Sequence, residues 1–90
     1  MTIEEFGDII MTNLIIKRYA NQNNRYSVYF EGAEIKEHKF DPILASISGN
    51  GTSIQEALND YVNKIRGKVI VLYAYTDKRI TYGVPTNLKA

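Results

Sequence analysis

His38 is the single histidine of this 90-residue chain. Any dyad or triad would have to be built around it, with Ser46, Ser48 or Ser53 as the nucleophile. None of the three serines lies in a nucleophile-elbow motif, and His38 belongs to the charged run Glu34 to Asp41, which has the composition of a solvated loop. Glu34, Glu37, His38 and Asp41 carry groups that suit a metal ion. Their spacing matches no established metal-binding loop. The chain has no cysteine, which removes thiolate zinc sites and thiol nucleophiles. These residues predict no enzyme, no cofactor and no metal.

Three other groups could carry binding. Gly49-Asn50-Gly51-Thr52-Ser53 is a glycine-rich turn opening a helix, so its amides and the helix dipole could receive an anion. It lacks the lysine of a phosphate loop and the full dinucleotide fingerprint. Lys17, Arg18 and Arg25 form a short basic cluster around one turn, the nearest thing to a nucleic-acid contact. Seven tyrosines with no tryptophan point instead to a protein interface, since tyrosine joins a large contact area to a polar tip. Tyr29, Tyr73 and Tyr75 are the candidates.

These groups must be held by a single thin-cored domain. A helix is expected from Ile54 to Arg66, where Ile54, Ala57, Leu58, Tyr61, Val62 and Ile65 recur at helical spacing. Ser53 with Glu56, or Thr52 with Gln55, forms a capping box, and Gly67 suits the stop. Leu58 and Tyr61, at the centre of the stripe, are expected beneath the sheet. Strands are expected at Leu14–Tyr19, Arg25–Glu31 and Ile43–Ser48, with a short one around Ile35 inside the charged connection Gly32 to Pro42. Asn21-Gln22-Asn23-Asn24 makes the first two a hairpin. Val69–Tyr75 reads as an interior strand, and Ile80–Val84 as an edge strand ended by Pro85. Residues 1–12 read either as a helix, capped by Thr2 and Glu5 with Ile3, Phe6 and Ile10 inward and weakened by Gly7, or as an appendage to a compact core at 13–88. The expected fold is an α+β two-layer sandwich. It has one mainly antiparallel five-stranded sheet and one main helix, in the order (α)-β-β-β-α-β-β.

Three strands running into Gly49-Asn50-Gly51-Thr52-Ser53 and a Glu-Ala-containing helix resemble two families. Tyr26-Ser27-Val28-Tyr29-Phe30 and Gly51-Thr52-Ser53-Ile54-Gln55-Glu56-Ala57 are similar to the strand and the Gly-x-Thr-x-x-Glu-Ala helix start of HicB-like antitoxins. The glycine-rich turn also resembles that of double-stranded-RNA-binding domains. Those domains place lysines in the first helical turn, where this chain has Ile54, Gln55 and Glu56, so the resemblance implies the shape and not the RNA. Phe30-Glu31-Gly32-Ala33-Glu34-Ile35, Gly49-Asn50-Gly51, Glu56-Ala57, Asp60-Tyr61, Ile65-Arg66-Gly67-Lys68, Ala74-Tyr75, Arg79 and Val84-Pro85 resemble small uncharacterised proteins of phages and prophages of Gram-positive bacteria. That resemblance spans about Leu14 to Leu88 and implies a phage origin without an activity.

A formal charge of +1 leaves no general field for an anionic polymer. The acidic N-terminal stretch lacks the pattern of a secretory signal, and the longest apolar run is too short for a bilayer span. A cytoplasmic location in a bacterial host and no membrane role are expected. The expected function is therefore a phage-encoded, non-enzymatic protein that contacts another protein, with a host factor and a homodimer as partners. The alternative is a nucleic-acid-binding accessory protein of phage replication or recombination, and an enzyme of unknown type ranks third.

Overall fold

A computed structural model describes residues 1–23 and 25–90. The element order is α1 (Ile3–Ile10), β1 (Leu14–Tyr19), β2 (Arg25–Phe30), β3 (Ala33–Lys36), β4 (Gly49–Gly51), α2 (Ile54–Ile65), β5 (Val69–Leu72) and β6 (Ile80–Gly83).

Helix α1 starts at the expected reciprocal cap. The Glu5 amide donates to Thr2 Oγ1 at 3.2 Å, and the Thr2 amide donates to Glu5 Oε1 at 2.9 Å. Ile3, Phe6 and Ile10 are buried at helical spacing. Gly7, a poor helix former, is buried as well: a Cβ there would stand 3.0 Å from the Phe30 ring. The glycine therefore gives up helix propensity to bring α1 close to β2. Phe6 meets Phe30 edge-on with centroids 6.0 Å apart, and Phe30 meets Tyr61 at 5.8 Å. This chain of rings joins α1, β2 and α2. Residues 1–12 thus contribute to the same apolar cluster as Val28, Phe30, Ile35, Tyr61, Ile65, Ile70 and Leu72.

The strands form two antiparallel three-stranded sheets, β1-β2-β4 and β3-β5-β6, and not one five-stranded sheet. The β1–β2 hairpin is present, with Leu14 opposite Phe30 and Tyr19 opposite Arg25. Of its expected turn residues, Asn24 lies outside the described residues. The third expected strand, Ile43–Ser48, reduces to one bridge in which Ala45 and Ile35 exchange both backbone hydrogen bonds at 2.9 Å. Two features break it. Asp41 folds back to accept from the Ile43 amide at 3.0 Å, and Ile43 is 71% exposed, with no core to face. The partner of β2 is instead β4, a Gly-Asn-Gly segment of low strand propensity. The short strand near Ile35 exists as β3, and β5 lies at the centre of the second sheet with β6 at its edge. Strand β5 stops at Leu72, short of Tyr75, because Tyr73 adopts a left-handed backbone, φ 54°.

Antiparallel partners share a face, so the register assigns sides to the first sheet. Gly49 pairs with Val28, and Gly51 with Tyr26. A Cβ on Gly49 would fall 2.4 Å from the Tyr61 Cβ, and one on Gly51 2.5 Å from the Glu56 Cβ. Helix α2 therefore lies on the Val28–Phe30 side, as α1 does. Ala57, Tyr61, Val62 and Ile65 of α2 are buried, but Leu58 is only half-buried, contrary to expectation. The stripe is rotated toward Tyr61. The Tyr61 hydroxyl accepts from the Phe30 amide at 3.0 Å, and burial pushes its pKa up to about 12. The two termini meet: the Ile3 amide donates to Lys89 O at 2.7 Å, the Lys89 amide donates to Met1 O at 3.0 Å, and Leu88 is buried in the core cluster.

Candidate functional site

The residues that close α1 and β5 converge on one groove. Helix α1 ends at Met11, whose backbone is left-handed at φ 56° and whose amide donates back to Asp8 O at 3.3 Å. Asparagine or glycine usually takes this position, since a side chain with a Cβ is crowded there. Tyr73 ends β5 in the same conformation, held by Thr76, whose amide and hydroxyl both donate to Tyr73 O at 3.1 and 2.9 Å. Met11, Thr12, Asn13, Glu31, Gly32, Leu72 and Tyr73 line a groove of about 470 Å³. Its floor is tied together: Thr12 Oγ1 donates to Glu31 O at 2.9 Å and Asn13 Nδ2 to Glu31 Oε2 at 3.0 Å. Its rims are apolar and open, with Met11 86% and Tyr73 58% exposed, and Tyr75 on the following loop 85% exposed.

Of the three candidate tyrosines only Tyr73 lines this groove, and Tyr29 lies apart from it. Tyr29 lines a second concavity of about 330 Å³ with Phe30, Gly32, Ala33, Glu34, Ser46, Ile47 and Ser48. The two hollows share Gly32. Tyr29 stands instead beside Lys17, whose Nζ lies 5.5 Å from its ring centroid. Hydrogen bonding to the Tyr29 hydroxyl, followed by electrostatic interaction with the Tyr29 and Tyr19 phenol oxygens, raises the Lys17 pKa above its ordinary value.

The basic trio is split by strand alternation. Lys17 and Arg25 fall on the side of the first sheet away from the helices, with Tyr19 and Tyr29, whereas Arg18 falls on the helix side opposite Tyr26.

The glycine-rich turn has an internal role. The Asn50 amide donates to Asp60 Oδ2 at 2.8 Å, the Glu56 amide to Ser53 Oγ at 3.1 Å, and Thr52 Oγ1 to Glu56 Oε2 at 2.6 Å. Two carboxylates of α2 thus already sit where an anion would approach. Asp60 also meets Lys64 at 2.9 Å, and that hydrogen bond, followed by the Asn50 amide, holds its carboxyl below the usual range.

The carboxylates around His38 diverge. Glu34 accepts from Ser46 Oγ at 3.0 Å, Glu37 pairs with Lys68 at 3.0 Å, and Asp41 holds the Ile43 amide. Among the described residues no group of three or more His, Asp or Glu side chains is arranged to hold a metal ion. Among them, too, no helix is long and apolar enough to cross a membrane.

Sequence reasoning missed Met11 and Tyr19. A bulky residue where a helix must stop, with neither glycine nor asparagine beside it, was the available sign for Met11. For Tyr19 the sign was its place two residues beyond Lys17 on one strand, which puts both on one face. No protein-family model matches the chain, and neither curated proteins nor solved structures yield a match.

Proposed function

We propose that this chain is a small non-enzymatic binding protein that acts by contacting another protein through the groove between Met11 and Tyr73. The observation that carries the reading is the pair of left-handed residues. A bulky side chain in that conformation costs about 1–2 kcal/mol, and both examples here hold an exposed apolar group at the rim of one groove. Strain of this kind collects where a surface is used. Tyr75, two residues beyond Tyr73, is exposed as well and carries an aromatic ring of the type that anchors protein interfaces. Given the resemblance to phage proteins, the partner class is a host protein. The reading includes self-association, because β1 and β6 lie at the outer edges of their sheets and open edges accept a further strand.

The test is capture from nuclease-treated host lysate by the wild type and by a Tyr73→Ala, Tyr75→Ala double variant with an unchanged melting curve. A protein retained by the wild type and lost by the variant is the expected result. Identical retention by both refutes the groove as the contact. Sedimentation at micromolar concentration reports whether a second copy is among the partners.

A further inference from the structure

The side of the first sheet opposite the helices has a chemistry unlike the groove. By register it carries Ile15, Lys17 and Tyr19 on β1 facing Tyr29, Ser27 and Arg25 on β2. Both helices pack on the other side, as the crowding at Gly7, Gly49 and Gly51 requires. Lys17, Tyr19 and Arg25 are exposed, whereas Ser27 is buried and Tyr29 half-buried against the core. No paired position on this side of the β1–β2 hairpin is Asp or Glu, although the chain has ten acidic residues. Among other carboxylates, Glu31 is bound to Asn13, Asp60 to Lys64 and the Asn50 amide, and Glu34 to Ser46 beside the hollow that Tyr29 lines. Glu31 and Glu34 follow the Tyr29 end of the strand, so the positive end of the face is the one bearing Tyr19 and Arg25.

We propose that this face binds single-stranded nucleic acid at its Tyr19 end, with a base stacked on Tyr19 and phosphates held by Lys17 and Arg25. An exposed aromatic ring between two cations is what a single strand needs, because every base has a face to stack and every nucleotide a charge to neutralise. A duplex hides its base faces and is not the ligand. Arg18 is excluded from the site by strand alternation. The site is independent of the Met11–Tyr73 groove and stands or falls separately from it.

Fluorescence anisotropy with labelled oligo(dT) and oligo(U) of about 12 nucleotides, within the usual site size, tests the assignment and separates DNA from RNA. Two phosphate contacts on a single strand predict a log–log salt slope of about −1.4, a roughly sevenfold loss from about 50 to 200 mM salt. Tyr19→Ala, on an exposed position, is expected to weaken binding about tenfold, within the range for one stacked base. The Lys17→Ala, Arg25→Ala double variant is expected to abolish the salt dependence along with binding. Lys78→Ala, Arg79→Ala, on the loop before β6, is the control and is expected to leave affinity unchanged. Overturning results are no binding to either oligomer at about 100 μM, the non-specific limit, equal binding to duplex, or an equal loss in the control. Binding by wild type with no change in Tyr19→Ala also overturns the stacking assignment.

Discussion

At the scale of single residues, Met11 and Tyr61 show opposite uses of free energy. Met11 occupies a backbone conformation that asparagine tolerates better, so Met11→Asn is expected to raise stability by about 1 kcal/mol while weakening partner capture. Thermal melting beside the capture assay checks both halves, and a variant that loses stability would show that the Met11 side chain is held by packing. Tyr61 is buried with its hydroxyl accepting from the Phe30 amide. Its pKa of about 12 lies above the unfolded value near 10. The native state then holds a proton that the unfolded state releases between those values, so stability is complete below pH 10 and falls as pH rises toward 12. Two pH units correspond to about 3 kcal/mol. Denaturant titrations across that window should show this loss in the wild type and its absence in Tyr61→Phe. That variant itself loses about 1–3 kcal/mol at neutral pH through the unpaired Phe30 amide. Equal high-pH slopes in the two proteins would show that another group is responsible.

At the scale of elements, the β4–α2 junction explains why the Gly49-Asn50-Gly51 segment has its composition. Glycines at 49 and 51 let α2 lie against the sheet at backbone distance, and the residue between them is fastened to α2 through Asp60. Gly49→Ala would put a Cβ 2.2 Å from the Ala57 carbonyl oxygen. It is expected to cost about 3 kcal/mol or more, at the upper end for overpacking, because backbone and not a flexible side chain stands in the way. Gly83→Ala, which meets nothing within 4 Å, is the control, and equal melting temperatures for the two would refute this account. Asp60 adds a pH signature of the opposite sign. Its folded pKa is lowered, so its contribution is present above the unfolded Asp value and is lost as pH falls through the folded one. Its side chain is 37% exposed, which limits the effect to roughly 1 kcal/mol or less after screening. Asp60→Asn is expected to flatten the acid limb of the stability profile and leave neutral-pH stability slightly lower.

At the scale of the whole molecule, both ends of the chain complete the core. Phe6→Ala removes the first ring of the Phe6–Phe30–Tyr61 chain and is expected to cost about 3–5 kcal/mol, a large share of the roughly 5–13 kcal/mol typical of a domain this size. Deleting residues 1–12 is expected to abolish cooperative unfolding by circular dichroism. A truncated chain that melts sharply near the parent temperature would make α1 dispensable.

The parts legible from sequence were those governed by neighbours along the chain. The Thr2–Glu5 and Ser53 caps, the apolar stripes of α1 and α2, the β1–β2 hairpin and the alternation of Tyr26, Val28 and Phe30 each follow from bonds or periodicity within a segment. Alternation also held enough to separate Lys17 from Arg18, although adjacency in sequence grouped them. Only tertiary structure decided which backbones pair. Ile43–Ser48 has a strand's pattern, but Asp41 turns its start and leaves Ile43 without a core to face. Gly49–Gly51 has a turn's composition, yet it becomes the partner of β2 because α2 demands a surface without side chains. Sheet membership, the half-exposure of Leu58 and the placing of Met11 and Tyr73 on one groove depend on residues distant in sequence, and local propensity carries no information about those distances.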